Sequence, residues 1–178
     1  MKASISAITL SLLLMLSGCR KRVEYVYMDP PAPPRALADR LPGEWSASFV
    51  SYSAQIDLSS QGLPPVTVAG ITENPNGSVR AEKEPRNMTF QLQFSASIDI
   101  GFGFPIPIPV NINSTGTYSV SADEKKITMT PSNGSSMEFK VLTNEYNVQV
   151  WRTTYPLQIP LLGALPMDMI ITIVKKTN

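Results

Sequence analysis

Beyond Leu41, apolar and polar residues alternate with a period of two, and no stretch holds the spacing of a long amphipathic helix. The clearest run is Met88 to Ile100. Met88, Phe90, Leu92, Phe94, Ala96 and Ile98 share one face, while Thr89, Gln91, Gln93, Ser95, Ser97 and Asp99 share the other. Such a strand keeps one face in a core and one in water. Seven more runs read as strands: Trp45 to Asp57, Val66 to Thr72, Val110 to Ser121, Lys126 to Thr130, Ser136 to Leu142, Tyr146 to Tyr155 and Met167 to Lys176. Turn residues separate them, notably Glu73-Asn74-Pro75-Asn76-Gly77, Ala122-Asp123-Glu124-Lys125, Pro131-Ser132-Asn133-Gly134 and Thr143-Asn144-Glu145. Eight strands with hairpin-like connections predict an all-β fold, an antiparallel up-and-down barrel that closes its own edges. The same spacing also permits a two-sheet β-sandwich.

The first run changes face partway. Trp45 and Phe49 lie on one side, but Val50, Tyr52, Ala54 and Ile56 lie on the other. A one-residue slip exchanges the two faces, so a β-bulge is expected near Phe49 and Val50.

Three connections are unlike ordinary surface loops, which are polar. Leu58 to Pro65, Gly101 to Pro109 and Pro156 to Pro166 are apolar, carry prolines and hold no charge. In up-and-down order they are connections one, three and seven, which emerge at the same end. The predicted barrel therefore has one apolar end and one polar end. Phe102, Phe104, Ile106, Ile159, Leu161 and Leu162 are the candidate residues lining an entrance there. If the loops instead pack on each other, they form a lid. Asp57, Asp99 and Asp168 flank these loops and are expected near the rim. Their usual role is to cap loop N–H groups, and they are also weak candidates for an oxygen-ligated cation site.

The N-terminus sets the compartment. Lys2 precedes an apolar core from Ile8 to Leu16 that is too short to span a bilayer. Then comes Leu16-Ser17-Gly18-Cys19, which resembles the lipobox of bacterial lipoproteins and holds the one cysteine of the chain. The resemblance implies cleavage before Cys19, with diacylglycerol on its thiol and an acyl chain on its amine. Such an anchor holds a protein stably on a membrane. Residues 1–18 are then the signal peptide and 19–40 a lipidated tether, with Arg20-Lys21-Arg22 beside the headgroups and a stiff spacer at Pro30-Pro31-Ala32-Pro33-Pro34. One helical turn is expected within Ala36 to Arg40. Arg20 occupies the place of the aspartate that retains lipoproteins at the inner membrane, so the outer membrane of a bacterial envelope is the expected location.

Leu41-Pro42-Gly43-Glu44-Trp45 looks like the Gly-x-Trp that opens lipocalin domains, where the Trp plugs the closed floor of the barrel. Thr115-Gly116-Thr117-Tyr118-Ser119-Val120, a charged turn and Ile127-Thr128-Met129-Thr130 resemble the middle hairpin of lipocalin-like domains in bacterial lipoproteins. The resemblance implies a lipocalin-like barrel over residues 41–178 with Trp45 at its floor. It also implies a basic residue on the last strand packed on that Trp; none stands out there, and Arg152 is the candidate.

Composition limits the chemistry. With 43% hydrophobic residues, about 160 mature residues can build one core without disulfides. Without Lys2 the chain carries 14 basic and 14 acidic side chains, from totals of 15 and 14. That balance argues against a nucleic-acid partner. The chain holds no histidine, which removes the usual triads and His-ligated metal sites. Paired carboxylates could serve glycoside cleavage, but the acids are sparse and mostly in turns. No enzymatic activity and no cofactor are expected. The reading is a lipid-anchored envelope binding module whose apolar loops gate a site for a hydrophobic ligand. The alternative is an interaction lipoprotein that docks a partner protein or a membrane through the same loops.

Overall fold

The computed structural model describes residues 36–57, 59, 62, 64–98, 105–159 and 163–176, with the side chain of Ile98 excluded. Among these residues one four-residue helix, α1 (Leu37–Arg40), precedes nine strands. They are β1 (Gly43–Ile56), β2 (Val66–Glu73), β3 (Asn76–Ala81), β4 (Asn87–Ile98), β5 (Ile106–Val120), β6 (Lys126–Pro131), β7 (Met137–Asn144), β8 (Val148–Ile159) and β9 (Gly163–Lys175). Every pairing is antiparallel, and β9 returns to β1 from Trp45↔Lys175 to Ala54↔Met167. The fold is thus an all-β up-and-down ring.

The nine strands reduce to eight passes. β2 and β3 both run antiparallel to the same edge of β1, so Glu73–Gly77 is an interruption within one strand and not the expected hairpin turn. Ser46 pairs Ser78 while Phe49 pairs Glu73, so the second pass carries two extra residues across that step. Asn74 takes them up in a left-handed conformation, φ 49°, and its N–H donates to the Ser48 carbonyl at 2.9 Å. The true second connection is Glu82 to Arg86.

The bulge in β1 lies just before the expected Phe49–Val50 step. The register against β9 jumps between Ala47 and Phe49. Trp45 and Ala47 point inward before it, and Val50, Tyr52, Ala54 and Ile56 after it. Phe49 is left on the outer side, half-buried. β4 follows its alternation as expected, with Met88, Phe90, Leu92, Phe94 and Ala96 all in the core.

Inside, large side chains interlock. Phe90 meets Phe139 edge-on at 5.2 Å between centroids, and Phe139 meets Trp151 at 5.3 Å. Trp151 would strand its indole N–H in this core, and Gln149 accepts it at 2.9 Å. α1 closes one end. Leu37 and Leu41, four residues apart on one helical face, are fully buried. The core therefore takes in Leu37, a residue that the sequence reading leaves to the tether.

The ring is not evenly round. β6 and β7 are short, and β3 stops pairing with β4 at Asn76↔Gln93. Towards the end holding connections one, three, five and seven, the strands therefore form two layers. β2, β1, β9 and β8 make one, and β4 with β5 makes the other. Two seams separate the layers, one between β2 and β4 and one between β5 and β8.

Candidate functional site

On the apolar side the strands run on through their prolines. β5 begins at Ile106, so Pro107 and Pro109 stand in a strand opposite Ser97 and Ser95. β8 and β9 continue to Ile159 and from Gly163, pairing Pro156 with Pro166. The expected loops 101–109 and 156–166 thus give up 106–109, 156–159 and 163–166 to strands. The reason lies in which way each main-chain N–H points. Tyr118 donates to the Arg86 carbonyl at 2.9 Å, so even-numbered β5 residues face β4. Pro107 and Pro109 face away from that ladder and cost it no donor. In β8 and β9, Lys175 donates to Asn147 at 2.9 Å, which puts odd-numbered residues in the β8–β9 ladder and leaves Pro156 and Pro166 out of it.

The predicted entrance residues divide. Phe102, Phe104, Leu161 and Leu162 lie outside the described residues. Ile106 starts β5 and is 49% exposed, whereas Ile159 ends β8 as a core residue, 9% exposed. Cys19 also lies outside the described residues.

Of the three aspartates, Asp57 and Asp168 stand apart. Asp99 lies outside the described residues. Asp57 accepts the Ser59 N–H at 2.9 Å, and its hydrogen bonds to Ser59 hold its carboxyl below the usual range. Asp168 is not at the rim, because β9 starts five residues earlier; it sits opposite Ser53 and Thr154 on the outer face. Arg152 donates to it at 2.7 Å and Thr154 at 2.7 Å. The Arg152 bond, then the Thr154 bond, lowers its pKa. Among the described residues no group of three possible metal ligands occurs.

Trp45 is fully buried beside α1, and its indole N–H donates to the Leu41 carbonyl at 2.9 Å. Lys175 of the last strand holds its ammonium 5.4 Å from the Trp45 ring centroid, a cation–π contact. Lys175, and not Arg152, is the basic residue on that Trp. Arg152 has even parity in β8 and faces outward. A third contact ties this end together, from the Arg40 guanidinium to the Asn144 carbonyl.

The described residues also hold a cleft that the sequence reading missed. About 830 Å³ in volume, it opens on the flank between β5 and β8, above the β6–β7 hairpin. Asn111 and Asn113 form one wall, Thr154 and Tyr155 the other, and Met137 and Lys140 part of the base. The signal was present in strand length. Lys126–Thr130 and Ser136–Leu142 are much shorter than their neighbours, so the neighbours' edges cannot all be paired.

No protein-family model matches the chain, and no curated protein matches it. Among solved structures, the bovine lipocalin allergen Bos d 2 is similar at 10% identity and a TM-score of 0.38, covering 79% of this chain and 76% of that one. The ring and its register are read from the strand pairing itself.

Proposed function

We propose that this chain is a lipid-anchored, non-enzymatic binding module of a bacterial outer membrane that engages a hydrophobic ligand at its apolar end. The observation that carries the reading is the ring order. Alternating strand directions bring Ile56, Val66, Ile106, Ile159 and Gly163 to the same end of the sheet, and the connections between them hold one charged residue at each of two margins, Asp57 and Asp99, and none elsewhere. At the other end stand Gly43, Lys175 and the polar connections. Lipidation at Cys19 supplies the anchor.

The inward positions are filled by packed side chains from Trp45 to Ile173. That favours an occupant held at the end of the ring over one swallowed inside it. The same observation favours the second reading, docking of a partner protein or membrane through these connections.

The test uses the full chain recovered from bacterial membranes. Labelled palmitate should enter the chain and fail to enter Cys19→Ser. Mass spectrometry of the purified protein should find a non-covalent lipid, and Phe102→Ser with Phe104→Ser should remove it. If no apolar molecule accompanies the protein, and those substitutions instead abolish cross-linking to an envelope protein, the docking reading replaces the ligand reading.

A further inference from the structure

The flank cleft lies between two strand edges that lack partners. β6 stops at Pro131, opposite Gly116, and β7 begins at Met137. Beyond them, among the described residues, Ile106–Ser114 of β5 pairs with β4 alone and Thr153–Ile159 of β8 pairs with β9 alone. Main-chain parity then says what each edge presents. Ser132 donates to the Thr115 carbonyl at 3.1 Å, so odd-numbered β5 residues face the flank. Glu145 donates to the Val148 carbonyl at 2.9 Å, so even-numbered β8 residues do. Asn111, Asn113 and Thr154 therefore aim both N–H and C=O into the cleft.

The remaining free-edge positions are mostly closed to pairing. Pro107, Pro109 and Pro156 stand on them and have no donor to offer. The prolines leave a short window open, centred on Asn111 and Asn113, which lies within the cleft. Donor and acceptor pairs two strand residues apart, about 6.6 Å, match the repeat of an extended polypeptide backbone.

Charge narrows the occupant further. Lys126, Lys140 and Arg152 lie in one row across β6, β7 and β8. Glu138 pairs with Lys126 at 3.0 Å and Asp168 with Arg152 at 2.7 Å. Lys140, between them and in the cleft, makes no ion pair among the described residues.

We propose that this cleft takes an extended peptide segment of a partner protein, added as a strand to Asn111–Asn113 of β5, with an acidic side chain directed to Lys140. The site is independent of the apolar end.

The test measures binding of a fluorescein-labelled hexapeptide, Thr-Val-Asp-Val-Thr-Val, to the full chain in detergent micelles by anisotropy. Two N-methylated versions block alternate sets of backbone amides. One should bind about tenfold or more weakly and the other like the parent, because an added strand uses one set only. Asn111→Pro with Asn113→Pro extends the proline pattern already tolerated on that edge, and should weaken the parent by a similar factor. Lys140→Met should weaken the parent but not its Asn counterpart. No binding at millimolar peptide, or equal binding of both methylated forms, overturns the proposal. Lipid co-purification and its loss in Phe102→Ser are unaffected either way, so the two readings fail separately.

Discussion

Gly70 and Tyr52 offer the sharpest check on the architecture. They are direct cross-strand partners in β1 and β2, and the phenol lies across the glycine. A Cβ added at Gly70 would overlap the Tyr52 Oη and stand 2.5 Å from its Cζ. The phenol is not free to yield. Its Oη accepts the Ser97 N–H at 2.8 Å, and its ring meets Phe94 at 5.5 Å. Ser97 has odd parity in β4, so its N–H points into the seam where β3 no longer pairs. Gly70→Ala should therefore expel the phenol and strand that N–H. The unmade bond costs about 1–3 kcal/mol, and a displaced ring adds about 1 kcal/mol. We expect a loss of about 2–4 kcal/mol, or about 4–16 °C in Tm for a domain of this size. In a Tyr52→Leu background the same substitution meets no ring. There it should cost less than about 0.5 kcal/mol, or gain that much, because glycine disfavours strands. Urea unfolding of the four proteins gives the coupling energy directly. If Gly70→Ala costs the same in both backgrounds, the seam is not sealed by Tyr52 and the two-layer description fails.

Gly116→Ala should be worse and not rescued by any side-chain change, because its Cβ would overlap the Thr130 carbonyl oxygen and stand 2.6 Å from Pro131 Cα; a wild-type unfolding midpoint would refute this. Trp45→Ala should cost about 3–5 kcal/mol, and Lys175→Met about 1 kcal/mol or less, both read by urea denaturation. Asp168 has a depressed pKa, so its bonds to Arg152 and Thr154 stabilise the fold above the ordinary aspartate range, and that stability is lost as pH falls through the folded pKa. Asp168→Asn should therefore lower Tm at neutral pH and leave the strongly acidic Tm nearly unchanged; an equal loss at both would count against the assignment. Pro107→Thr with Pro109→Thr restores two donors to an open edge and should produce concentration-dependent association by light scattering.

The alternation along Met88–Ala96 and the existence of a face switch in β1 were legible because both are local: each follows from period-two geometry on a single chain, although Phe49, expected on the Trp45 face, lies on the outer side. The strand extensions at Ile106–Pro109 and Gly163–Pro166 were not. Proline forbids a hydrogen bond only towards the edge it faces, and which edge is free depends on strands many residues away. Asn74-Pro75-Asn76-Gly77 misled for a similar reason. It has turn chemistry, but Ser48 across the sheet accepts the Asn74 N–H and lets the chain run on. Lys175 was passed over for Arg152 because partnership with Trp45 is set by the β1–β9 register, not by closeness in sequence. The flank cleft follows from unequal strand lengths, which the sequence does show, although only the pairing reveals which edges they strand.

The two seams arise alike and are treated differently. Each forms where a pass of the ring is interrupted or cut short while its neighbours run on, by Asn74 and Pro75 on one side and by the β6–β7 hairpin on the other. At the first, an aromatic ring from the core reaches out and satisfies the Ser97 donor. At the second, Pro107, Pro109 and Pro156 remove donors from both edges, yet Asn111 and Asn113 keep theirs. If solvation alone governed that edge, prolines would be of little consequence, because water satisfies exposed N–H groups equally well at all five positions. Prolines do matter if strand addition is the hazard. On that logic the two asparagines mark the part of the β5 edge where addition is permitted, while on the facing β8 edge Thr154 and Gln158 keep a donor on either side of Pro156.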